Sequence, residues 1–300
     1  SLNLKLEFNK NLTYRFSASK VISRPNIEHL VPRNRVIALN PDSAVLDPNS
    51  PEYNPNIENR DRGSINSGNP DLNPYATWQV DNTIEIYPNW GGAFVVSGFY
   101  KGISDFIITT SLEDQEAPDD LGITISDNPD AALYTVTKPV NFSDASVYGF
   151  EVGFNQPFTF LPSPFDGFGA KANYTYIKSN FKEDVGDVGE GFPGSSTNSF
   201  NSMLYYDKYG IGVRLAYTYR DDYLRSLGGG GDIRANTTFT EGSGQLNLRA
   251  SYNITKALQA SVSVVNITEN DRRDYLGSKT NTFRFVSRER LWTFGLRYNL

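Results

Sequence analysis

The chain contains no cysteine, one histidine and one methionine in 300 residues. The absence of cysteine removes disulfides, thiolate nucleophiles and cysteine metal sites together, and it suits a chain that crosses an oxidising compartment. With no second His and no Cys beside it, the lone His29 argues against a zinc centre and a Ser-His triad and reads as a loop residue. No run of about 18 apolar residues occurs, which excludes a helical membrane protein. Cationic residues are outnumbered, 28 Lys and Arg against 34 Asp and Glu, so the net charge of −6 gives nucleic-acid binding no electrostatic support. What the chain does have is aromatics, 18 Tyr and 19 Phe among them, too many for a disordered polypeptide.

Those aromatics are arranged with a period of two. In the last stretch, LWTFGLRYNL (291–300), Trp292, Phe294, Leu296, Tyr298 and Leu300 alternate with Thr293, Gly295, Arg297 and Asn299. One face wants hydrocarbon and the other water. About ten such residues cross a bilayer at a tilt. The spacing resembles the C-terminal targeting signal of bacterial outer-membrane β-barrels, carried here by Thr293, Gly295, Tyr298 and Leu300; this implies a handover to the barrel-assembly machinery. A soluble sandwich edge strand is the plain alternative.

The same alternation recurs along the chain. Leu2, Leu4, Leu6 and Phe8 are followed, after Asn9-Lys10-Asn11, by Leu12, Tyr14, Phe16 and Ala18, and pairing Phe8 with Leu12 keeps both sets on one face, so the turn is expected to hold an odd number of residues. Trp78, Val80, Ile84 and Ile86 form the next apolar row, interrupted by Asn82. Further rows are Phe94 to Tyr100, Phe150 to Phe154, Phe168 to Tyr176, Ile211 to Tyr219, Leu246 to Tyr252 and Leu258 to Val264, while the parity of 200–206 is ambiguous. No helical period is found. About eleven strands result, joined alternately by brief turns and by long polar loops near 21–74, 109–132, 180–198, 221–243 and 268–281. Strict short and long alternation is the mark of an all-β, antiparallel up-and-down transmembrane barrel, with brief turns on the periplasmic side; sandwiches mix turn lengths at both ends. The odd strand number and Ser1 opening inside a patterned strand lead us to expect a piece of a longer barrel.

Seven stretches in order, SASKVISRP (17–25), SGNPDLNPY (67–75), SGFYKGISDFI (97–107), VYGFEVGFNQPFTFLP (147–162), GAKANYTYI (169–177), VVNITEN (264–270) and LWTFGLRYNL (291–300), resemble the C-terminal half of a TonB-dependent outer-membrane receptor over essentially all of residues 1–300. The resemblance implies a barrel of 22 strands in the outer membrane, in contact with lipid. It also implies an upstream plug with a TonB box through which the TonB complex drives import of a small, scarce solute, no enzymatic activity and no cofactor. FLPSPFDGFG and GNPDLNP look most similar to oligosaccharide-uptake members, with siderophores or haem as the alternative solutes. A passive channel or adhesin barrel, and a secreted carbohydrate-binding module, are the competing classes.

If the wall reading holds, Arg15, Glu85, Glu151, Lys171, Arg214, Arg249 and Arg297 face the lumen, where cross-wall ion pairing and contact with the plug are the expected roles. Arg24, Arg33, Arg35, Tyr219, Arg220, Tyr223 and Arg225 in the long loops are the ligand-binding candidates, because Arg forks and Tyr faces bind sugars or anionic chelates. The acidic stretches 47–52 and 127–130 are oxygen-rich but lack EF-hand spacing, so no metal site is assigned. Gly228 to Gly231 is followed by no Lys-Ser/Thr and cradles no phosphate, and Asn-x-Thr triplets such as Asn173-Tyr174-Thr175 arise from strand alternation.

Overall fold

In a computed structural model of the chain, residues 1–37, 64–116, 133–181, 191–226 and 237–299 are described. A single antiparallel path of eleven strands forms the wall, in the order β1 (Leu2–Asn9), β2 (Leu12–Ser23), β5 (Tyr75–Ile86), β6 (Ala93–Glu116), β7 (Leu133–Pro157), β8 (Phe168–Phe181), β9 (Asn198–Lys208), β10 (Ile211–Arg220), β13 (Ser243–Asn253), β14 (Leu258–Val265) and β17 (Leu291–Tyr298). Every wall strand lies beside its sequence neighbour in the path, as an up-and-down topology requires. The omitted numbers are six short strands, all within the long connections: β3 (Asn34–Ile37), β4 (Ser64–Ser67), β11 (Tyr223–Ser226), β12 (Thr238–Thr240), β15 (Arg272–Leu276) and β16 (Thr282–Val286).

The registers place the alternating apolar sets on one face. Leu248 faces Leu215 and Val264, and Val262 faces Ala250 and Phe294. No second layer covers that face among the described residues. Phe294 is 76% exposed, Leu296 77%, and Leu204, deep in the middle of the sheet, 58%. Exposure of this kind rules out a sandwich core and fits a wall whose outer surface meets hydrocarbon.

Local chemistry explains the irregularities. Between β1 and β2 the register runs Leu6↔Tyr14 and Glu7↔Thr13, then shifts to Asn9↔Leu12. The turn therefore holds two residues, Lys10 and Asn11, where an odd count was expected; Phe8 is bulged out, and this extra residue restores the parity that the turn length would otherwise invert. Asn82, the polar break in an apolar row, accepts a hydrogen bond from the Tyr14 hydroxyl at 2.6 Å, so its side chain is satisfied on the outer face. The ambiguous strand β9 is settled by Leu204↔Leu215 and Tyr206↔Val213: Phe200, Ser202, Leu204 and Tyr206 face out, and Asn201, Met203 and Tyr205 face in. Tyr209 and Gly210, both at positive φ (56° and 75°), close β9 to β10 with the mirror-image turn that suits strand twist.

The periodicity shows no helix, yet the structure contains a short one. One turn, α1 (Ile27–Leu30), opens the first long connection, with the Asn26 side chain accepting from the Glu28 N–H at 3.3 Å. Four residues are too few to leave a periodic trace.

The two faces generate opposite responses to charge. Val262→Arg, on the outer face, is expected to cost about 2–4 kcal/mol of folding stability in lipid vesicles, whereas Ser261→Arg, one residue before it and facing inward between Ser251 and Gly295, is expected to leave stability near wild type. Equilibrium refolding titrations of the full-length protein measure both, and equal costs would overturn the assignment of faces.

Candidate functional site

Five brief turns join the wall strands at one rim, and five long connections rise from the other. The long rim is built, not merely draped. In the first connection, the Asn141 side chain on β7 accepts from Asn73 N–H at 2.8 Å and donates to the Asn73 and Asp105 carbonyls at 3.0 and 2.9 Å. Asn69 donates to the Pro139 carbonyl at 2.9 Å, and Leu72 is buried. Gly68 sits so close to the opposite chain that a Cβ there would lie 1.9 Å from the Val31 carbonyl oxygen. The GNPDLNP tract thus locks its loop onto β6 and β7, which extend past the bulge at Asp105 as a tall hairpin. Strand β4 adds to β7 in parallel at Ser64 to Asn66, and Ile65 is fully buried there.

The fourth and fifth long connections form a separate four-stranded sheet, β11-β12-β15-β16. At its centre the fully buried Asp274 receives Arg225 Nη1 at 2.5 Å, Arg272 Nε at 3.1 Å and the Thr240 hydroxyl at 2.7 Å. Burial pushes this carboxyl up, but the Thr240 hydroxyl and the two guanidinium groups outweigh it and hold it below its ordinary value. Nearby, Asp222 accepts from the Gly242 N–H at 2.7 Å and the Tyr275 hydroxyl at 3.1 Å and pairs with Lys279 at 2.6 Å. Burial, then the Asp222 contact, pushes the Tyr275 phenol up to about 12, so it remains a donor. Neither aspartate was singled out from sequence. The available signal was Arg272-x-Asp274, an opposite-charge pair two apart and so on one strand face.

The predicted ligand residues separate into three groups. Arg24, Arg33 and Arg35 are exposed on the first connection, where their side chains carry no ion pair among the described residues. Arg220 lies 3.8 Å over the Tyr223 ring and donates to Ser196 Oγ at 2.9 Å and the Gly194 carbonyl at 2.7 Å; Tyr219 donates to Asp221 at 2.9 Å. Arg225 is committed to Asp274. His29 lies in α1, and its carbonyl accepts from Asn69 N–H at 2.7 Å. The acidic stretches 47–52 and 127–130, the Gly228 to Gly231 run and Leu300 of the terminal signal lie outside the described residues. Of that signal, Thr293 faces Ser263, Gly295 faces Ser261 and Tyr298 faces Leu258.

All seven lumen residues share the face opposite the apolar rows. Arg15 forms an ion pair with Glu85 across the sheet at 2.8 Å, and Glu151 accepts from Thr175 at 3.4 Å. The strands from β8 onward differ. Arg214 stands directly across from Arg249, and the nearest acid is Asp207, 3.9 Å from Arg214. Lys171, between Asn155 and Met203, and Arg249 have no acidic partner among the described residues. Like charges placed opposite each other are unfavourable, and this part of the inner face sets Lys171, Arg214 and Arg249 against the single acid Asp207 among the described residues.

A family model described as "TonB dependent receptor-like, beta-barrel" matches residues 1–267. None of the curated protein sequences matches the chain. Among solved structures, a point mutant of the ferric enterobactin receptor (PfeA) from Pseudomonas aeruginosa in complex with enterobactin aligns with a TM-score of 0.66 at 16% identity, over 99% of this chain and 40% of that one. The siderophore receptor PirA from Acinetobacter baumannii gives 0.64 at 15% identity over 99% and 40%, and the copper transporter OprC 0.61 at 16% over 99% and 38%. The chain thus spans about 40% of the length of these receptors.

The Asp274 cluster predicts a local pH dependence. Because folding lowers this pKa, its stabilisation is full above about pH 4, the unfolded value, and is lost as pH falls through the lower folded one. Asp274→Asn is expected to speed amide exchange in β12 and β15 at neutral pH, by the equivalent of about 3 kcal/mol for a buried charge pair broken on one side, and acidified wild type to approach the variant. Unchanged protection, measured by hydrogen exchange, would refute the role of the cluster.

Proposed function

We propose, from the premise that this chain belongs to the TonB-dependent receptor-like β-barrel family, that the protein it forms part of imports an anionic metal chelate across the outer membrane. The chain supplies wall and long connections of an outer-membrane β-barrel of the receptor type, and the family is one of transporters rather than enzymes. Capture takes place at the long rim, passage runs along the inner face, and energy arrives through TonB acting on a plug upstream of the present residues. The barrel-assembly machinery receives the β17 signal.

The preference for an oligosaccharide finds no support in the comparisons, whose solved neighbours are named for siderophores and copper. The observation that carries the anionic reading is the cationic surplus: Lys171, Arg214 and Arg249 on the inner face with a single acid near them, below the exposed Arg24, Arg33 and Arg35. Neutral sugars need hydrogen-bonding and stacking partners but gain nothing from unopposed cations.

The full-length receptor is expected to bind ferric siderophores in preference to neutral oligosaccharides. Arg33→Ala is expected to weaken chelate binding about tenfold, the loss of one hydrogen bond to a charged group. Isothermal titration against both panels measures this. Tight binding of a neutral oligosaccharide with none of any chelate would refute it.

A further inference from the structure

One short-rim connection is unlike the other four. Tyr209-Gly210 needs two residues to reverse the chain, but 158–167 (FTFLPSPFDG) inserts a folded turn between β7 and β8. Its direction is fixed by what it touches. Phe168, Tyr206 and Lys208 lie on the outer face by register, Phe168 against Tyr206 and Lys208 against Ile211. The Phe165 ring stacks on Phe168 at 6.4 Å between centroids, and Phe168 packs on Tyr206 at 4.7 Å. Asp166, the one charged residue of the turn, pairs with Lys208 at 2.5 Å. Ser163 bonds the Tyr209 hydroxyl at 2.6 Å, and a Cβ on Gly167 would come within 2.8 Å of the Tyr206 ring. The turn is therefore folded outward, over the lower ends of β8 and β9, and not across the lumen.

Folded this way, it presents Phe160 (59% exposed), Leu161 and Phe165 (54%) with its charge neutralised. A turn facing water would gain nothing from such a surface, since apolar area left in water forgoes roughly 25 cal/mol per Å². The patch is continuous with the outer apolar face through Phe165, Phe168 and Tyr206. We infer that residues 158–167 form an interfacial anchor that inserts Phe160, Leu161 and Phe165 into the periplasmic leaflet of the outer membrane beside the barrel. Aromatic side chains favour that depth, where an apolar body meets hydrated headgroups. The occupant is lipid because the contacting face is the one that the wall gives to lipid; the inference rests on the membrane reading of the wall.

The chain carries no cysteine, so single labels are clean within it. Phe160→Cys, Phe294→Cys and Ser278→Cys, introduced into the full-length protein, are spin-labelled and reconstituted in phosphatidylethanolamine and phosphatidylglycerol vesicles. Collision with oxygen and with a water-soluble nickel chelate is then measured. The label at 160 is expected to resemble that at 294, with oxygen collisions exceeding nickel collisions several-fold, and to differ from the label at 278 on the long rim. If 294 is lipid-facing but 160 collides freely with nickel, or is shielded from both reagents by protein, the anchor is wrong and the wall reading stands. If 294 itself collides freely with nickel, the wall reading fails and the anchor with it.

Discussion

Backbone hydrogen bonding in a medium without water constrains everything else in this molecule. Each N–H and C=O that enters hydrocarbon must find a partner, and adjacent strands are the partners available where the described residues hold no helix long enough to cross a membrane. That condition dictates antiparallel neighbours in chain order, forces side chains into two alternating sets, and pushes all irregular structure to the rims. The exposed outer face of β17 and the polar face behind it are two aspects of the same requirement.

Departures from regularity are consistent with this pressure. Phe8 is bulged so that a two-residue turn does not invert β1. The Asn82 side chain, which hydrocarbon would penalise by several kcal/mol if unpaired, is met by the Tyr14 hydroxyl. Strands β1 and β17 each pair on one side among the described residues, so the sheet has two edges of open backbone that need further strands in a membrane.

The wall was legible in the sequence because burial on one face and solvation on the other write a period of two directly into residue order. The number of wall strands, eleven, follows from it, and so does the outward face of every one but β9. Strand β9 resisted because Met203 and Tyr205 face inward opposite Phe200, Leu204 and Tyr206, leaving apolar residues on both sides; only pairing with β10 decides. The rim was less legible for a different reason. Strands β11, β12, β15 and β16 are three to five residues long and join two connections far apart in sequence, and their centre is a charge, Asp274, where pattern reading looks for hydrocarbon. Buried polar clusters depend on partners that no local window contains. The same holds for Asn141, which ties the first loop down from some 70 residues away.

The tall β6–β7 hairpin changes how the surroundings meet this wall. Above the bulge at Asp105 about ten residues of each strand continue unsupported by β5, a reach of roughly 33 Å along the strand. With β4 bracing it at Thr135 to Thr137, it stands as a stiff mast on one side of the mouth. Rising above the neighbouring strands, this mast is the first part of the described wall that a body approaching the long rim meets.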